Sequence, residues 1–93
     1  MSRLEKMRTL LAALQPTQME IIDESHRHAG HAGARAGGGH YVLNIVSAQF
    51  AGKNTLARQR MIYSALGELM QHNEIHALTI QALTPEEAQA RPS

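Results

Sequence analysis

YVLNIVSAQFAGKNTLARQRMIYSALGELMQHNEIHALTIQAL, residues 41–83, is the stretch that decides the fold. It opens with Tyr41 to Val46, a β-branched and aromatic run of the kind that packs on a pleated surface. It closes with residues 75 to 83, a second strand in which alternation predicts His76, Leu78 and Ile80 on one face. Between them, residues 47 to 53 break the first strand, with Gly52 near a turn and Phe50 as the anchor that pins the turn to the core. Asn54 or Thr55 then caps a helix over about 55–72. Its apolar face is Ile62, Ala65, Leu66 and Leu69, with Met61 and Met70 at the margins, and Arg58 and Arg60 fall toward its solvated sides. Two strands joined through a helix lie parallel, by a right-handed crossover.

Upstream, residues 2 to 15 read as an amphipathic helix. Ser2 with Glu5 three residues on forms a capping box. Leu4, Met7, Leu11 and Leu14 make one buried stripe, and Pro16 ends the helix. Residues 17 to 23, TQMEIID, alternate as a short strand with Met19 and Ile21 on one face, and pair antiparallel with the strand at 41–46. Downstream, Thr84 is an N-cap followed by Pro85 and Glu86, so the 84–93 tail forms a short terminal helix that frays. The predicted fold class is α+β: an αββαβ sandwich whose three-stranded mixed sheet is covered by helices on one face.

Ninety-three residues make one small domain, expected to span 1–93. The apolar set is aliphatic, with one Phe, two Tyr and no Trp. A formal charge of +1 is too weak to argue by itself for nucleic acid or membrane. Without cysteine the chain forms no disulfide and offers no thiolate ligand. No run approaches the roughly 20 apolar residues that span a bilayer, and the first ten residues mix charges where a signal peptide is apolar. A soluble, cytoplasmic domain is expected.

The strands are joined by SHRHAGHAGARAGGGHY, residues 25–41, which carries His26, His28, His31 and His40 among Gly and Ala. Lacking apolar periodicity, residues 25–40 are expected to be a flexible loop, longer than most structureless loops in compact domains. The parallel crossover gathers histidines at one pole: His40 begins the second strand, His76 the third, and the helix runs back to bring His72 near. Each has more than one reading. His26, His28 and His31 have spacing that suits zinc, or are solvated. His40 is read as structural, its ring bonding a backbone group, and His72 as a cation at a helix C-terminus. His76 is a core histidine or, from its place at a strand start facing the loop, a metal ligand. Ser25 beside His26 has no oxyanion arrangement, so the chain is not read as an enzyme.

These residues resemble the BolA family over nearly the whole chain. The matching pieces are Ile22-Asp23-Glu24-Ser25, then Gly39-His40-Tyr41 leading into Ile45-Val46-Ser47, and Phe50-x-Gly52-Lys53. They continue with Arg58-x-Arg60-x-x-Tyr63, Ile75-His76-Ala77-Leu78 and Thr84-Pro85-Glu86-Glu87. The resemblance implies a sandwich similar to the class II KH arrangement, partnership with a monothiol glutaredoxin, and a 2Fe–2S cluster shared with that partner and glutathione. It implies His76 as one cluster ligand and a loop histidine as the second, best matched by His28, with His31 and His26 as rivals. His40 matches a common family histidine, whereas Gln59 stands where the family usually has a histidine between two arginines. No cofactor is expected in the chain alone, which is expected to be a monomer or weak homodimer.

A chain with imidazoles and no thiols suits this role, because two histidines on one iron complete a 2Fe–2S centre of the Rieske type. Sulfur ligands for the other iron then come from the partner. The competing reading is a DNA-binding transcriptional regulator of stress response and cell morphology, as some family members are described, with Lys53, Arg58 and Arg60 on phosphates. Against it, residues 51–54 read Ala-Gly-Lys-Asn and lack the Gly-x-x-Gly of a KH loop.

Overall fold

The computed structural model describes residues 2–25 and 39–91; the loop histidines His26, His28 and His31, and the expected loop flexibility, lie outside them. Helix α1 (Arg3–Leu11) opens with the capping box: Ser2 Oγ accepts from the Glu5 N–H at 3.2 Å, and the Ser2 N–H donates to Glu5 Oε1 at 3.3 Å. A 3-10 turn (Ala12–Leu14) tightens its end, and Gln15 leaves in the left-handed region, φ 52°, before Pro16. Met7, Leu11 and Leu14 are buried as the stripe requires, and Leu4 packs against them.

Strand β1 (Gln18–Asp23) pairs antiparallel with β2 (Gly39–Val46), setting Ile21 opposite Leu43. Strand β3 (Ile75–Leu83) pairs parallel with β2, so β2 is central. This is the mixed sheet the crossover argument predicts. On the inner face Tyr41, Leu43 and Ile45 are buried against α1 and the crossover helices, and Met19, Leu78, Ile80 and Ala82 pack around them.

Two expectations are corrected. The crossover helix is broken rather than continuous: α2 (Thr55–Ala65), capped by Asn54 Oδ1 accepting from the Ala57 N–H at 2.9 Å, is followed by a short α3 (Gly67–Gln71). Leu66, at φ −88° and ψ 7°, is the joint, where Gly67 weakens helix propagation. Ile62, Leu66 and Leu69 are nonetheless all buried, so both pieces serve one apolar face.

The second correction concerns β3. Its register slips at Gly39/His40: Gly39 faces Ile75, but His40 faces Ala77. The extra residue on β3 is a bulge that breaks the alternation. Ile75 is buried and Leu78 packs on the core, while His76 and Ala77 between them are exposed. His76 therefore does not share the inner face with Leu78 and Ile80.

After β3, helix α4 (Pro85–Ala90) carries a second capping box, between Thr84 and Glu87. Pro85 and Ala88 lie across a groove from Thr17, Gln18 and Val46. Among the described residues no helix is long and apolar enough to cross a membrane.

Candidate metal centre

The end of the sheet where β2 and β3 begin is built by two turns. The first closes α3. Asn73 takes the left-handed conformation, φ 55°, its N–H donates to the Met70 carbonyl at 3.3 Å, and the Glu74 N–H reaches back to the Leu69 carbonyl at 3.0 Å. That pair of bonds is a Schellman motif with Asn73 in the place glycine usually takes. It turns the chain into β3, and the Glu74 carbonyl then accepts from the Gly39 N–H at 2.9 Å, fixing where β2 starts.

The second turn closes the neck of the histidine loop. Asp23 Oδ1 accepts from the Ser25 N–H at 2.9 Å, and Ser25 Oγ accepts from the His40 N–H at 3.0 Å. The Glu24 N–H donates to the His40 carbonyl at 2.8 Å. His40 is thus gripped by its backbone on the β1 side while Gly39 is gripped on the β3 side. The bulge sets His76 beside it, and the two imidazole rings lie with centroids 5.1 Å apart and planes tilted by 47°.

Supporting groups surround the pair. Arg3 donates to the Tyr41 hydroxyl at 3.3 Å, and Arg3 and Lys6 approach Glu74 Oε1 at 3.8 and 3.6 Å. The Tyr41 hydrogen bond holds the Arg3 guanidinium above its usual pKa. Gly39 leaves room for the Tyr41 ring, which a Cβ there would force to shift. His72 is the exposed C-cap residue of α3, the position where a cation meets the helix dipole.

Lys53 and Arg58 lie at the opposite end of the sheet, and there the expectation for Arg58 is corrected. Its side chain is only 13% exposed. The guanidinium donates to the Lys53 carbonyl at 2.8 Å, to the Ala82 carbonyl at 2.9 Å, and to both Glu87 oxygens at 2.6 and 3.2 Å. It also sits 6.0 Å from the centre of the Phe50 ring. Arg58 is a structural clamp between α2, the edge of β3 and α4, whereas Lys53 and Arg60 are exposed.

The donor set at the histidine end fits an iron or another transition metal: two imidazoles side by side, one exposed, on a chain with no cysteine. Two ring nitrogens bound at about 2.0–2.1 Å to one tetrahedral ion put ring centres about 5 Å apart, close to the observed separation. Among the described residues no third His, Asp or Glu joins the pair to complete a site.

Comparison with known proteins is decisive about kinship. The family model described as BolA-like protein matches residues 10–87. The chain belongs to the BolA family. It is 41% identical over 83 residues to the DNA-binding transcriptional regulator BolA of Escherichia coli, covering 89% of this chain and 72% of that protein. It is 42% identical over 79 residues to SufE-like protein 1 of Arabidopsis thaliana, covering 80% of this chain but only 21% of that protein, so it spans about a fifth of it. The solved BolA domain of SufE1 from the same plant superposes with a TM-score of 0.79 at 39% identity, covering 94% of this chain and 96% of that one. The BolA motifs quoted from the sequence now have physical meanings: Ile22 to Ser25 closes the loop neck, and Arg58 with Glu87 forms the clamp.

Proposed function

We propose that this BolA-family chain pairs with a monothiol glutaredoxin and shares a 2Fe–2S cluster with it, acting in iron–sulfur cluster trafficking or iron and redox regulation. The observation that carries this reading is the exposure of His76 beside His40 at the bulged start of β3. An imidazole on a core face is a packing element, but one lifted out of the alternation by a bulge is available to a ligand. His76 is the first ligand on this side, and His28 is the second, by its match to the family's loop ligand. When bound, the cluster supplies one-electron and sulfur-transfer chemistry. This chain contributes imidazole nitrogens to one iron, and its lack of thiols leaves the remaining ligands to the partner.

The test is to mix the chain with a monothiol glutaredoxin, glutathione, iron and sulfide, and to weigh the product by native mass spectrometry. A 1:1 heterodimer holding one 2Fe–2S cluster is expected, with the cluster made labile by His28→Ala. Glutaredoxin homodimers keeping all the cluster would overturn the reading.

DNA binding is the second reading, favoured by the name of the Escherichia coli relative, a DNA-binding transcriptional regulator. It now rests on Lys53 and Arg60, since Arg58 is occupied by Glu87 and two carbonyls. Under it, a Lys53→Ala/Arg60→Ala variant binds duplex DNA more weakly at all sequences, with the salt slope lowered by about one per lost contact. Binding equal to the parent's at several salt concentrations removes it.

A further inference from the structure

We propose that His40 and His76 form a mononuclear site for a divalent transition-metal ion on the chain alone, with no partner and no cluster. The ring separation of 5.1 Å is close to the spacing of two imidazoles on one tetrahedral ion, about 5 Å. The main chain that carries His40 is also fixed before any ion arrives. The Gly39 N–H is held by the Glu74 carbonyl, the His40 N–H by Ser25 Oγ and the His40 carbonyl by the Glu24 N–H. Binding then has the two side chains to order but not the strand start that carries His40, which is the advantage of a fixed scaffold.

Imidazole donors select zinc, copper and nickel over calcium or magnesium. Among the described residues no further ligating group completes the shell, so water fills the open positions and the ion stays exchangeable. A consequence follows for regulation, resting on the function proposed above: His76 serves both occupants, so a bound divalent ion and a shared cluster exclude one another.

The experiment uses the full chain alone, which separates its outcome from that of the glutaredoxin reading. Zn²⁺ is titrated calorimetrically, and Co²⁺ is followed by its visible d–d absorption, which reports tetrahedral geometry. One ion per chain is expected. His40→Ala and His76→Ala should each weaken binding beyond the roughly 10–100-fold that losing even an outer-sphere partner costs. His40→Gln, which keeps a polar side chain of similar size, should show the same loss in case His40→Ala fails to fold. A His26→Ala/His28→Ala/His31→Ala variant should bind as the parent does. No binding by the parent, parent-like binding by His76→Ala or His40→Gln, or loss of binding in the triple loop variant would each overturn the site.

Discussion

At the end of the sheet where β2 and β3 finish, polar groups are consumed by the fold. Ser47, fully buried, donates to the Leu14 carbonyl at 2.6 Å and accepts from the Gln49 N–H at 3.1 Å, and its own N–H meets the Leu83 carbonyl at 2.9 Å. Arg58 is spent on two carbonyls and a carboxylate. At the end where the same strands begin, the backbone is equally well bonded, but the side chains it presents include a half-buried imidazole, His40, beside an exposed one, His76. One end satisfies its side chains to hold α1, α2 and α4 together. The other fixes its main chain in order to display side chains. Under the proposed function, the difference separates groups kept for stability from groups kept for binding, although both ends carry family motifs.

That contrast is broken or sharpened by substitution at each end. The largest effect is expected at Phe50, which is fully buried beneath Arg58: Phe50→Ala should cost about 3–5 kcal/mol in denaturant unfolding. A cost under about 1 kcal/mol would show that the closed end is not a stability centre. Gly39→Ala comes next, at about 1–3 kcal/mol, because the added methyl displaces the buried Tyr41 ring. It should also disturb the His40 and His76 imidazole resonances in NMR spectra. Unchanged resonances would mean that the Gly39–Tyr41 packing does not set the histidine geometry.

Arg58→Ala should cost about 1–2 kcal/mol through its lost hydrogen bonds. It should also change the acid limb. The Arg58 guanidinium, and then the Thr84 backbone N–H, hold the Glu87 carboxyl down to about 2 from an ordinary 4.5. A depressed carboxyl stabilises the fold above its unfolded value, so this contribution is full above about pH 4.5 and is lost as pH falls toward 2. Unfolding curves over that window should be less pH-dependent in Arg58→Ala than in the parent; equal slopes would remove the clamp. The smallest effect belongs to the ion pairs at the histidine end: Lys6→Ala should change stability by about 0–1 kcal/mol, since both partners of its 3.6 Å pair with Glu74 are partly exposed.

Much of this was readable in the sequence because it depends on local pattern. The stripe of Met7, Leu11 and Leu14, the strand at Tyr41–Val46 and the crossover to Ile75–Leu83 follow from periodicity and handedness. So does the gathering of His40 and His76 at one pole. The exposure of His76 was not readable, because a bulge belongs to a register between two strands and leaves no mark in either one. Arg58 was misread for a similar reason: its partner Glu87 lies on another element, and i,i+4 patterning says nothing about it. Gly67 did carry a signal for the helix break, and Asn73 just before β3 carried one for the Schellman turn.

The most direct test is to compare His76→Ala with the parent in two assays on the same preparations. Unfolding of the chain alone should agree within about 0.5 kcal/mol, as for a surface substitution. The heterodimer reconstituted with a monothiol glutaredoxin should, by contrast, show an altered visible absorption and circular dichroism spectrum and a much shorter cluster lifetime. A His76→Ala heterodimer that keeps the parent spectrum and lifetime would contradict the account.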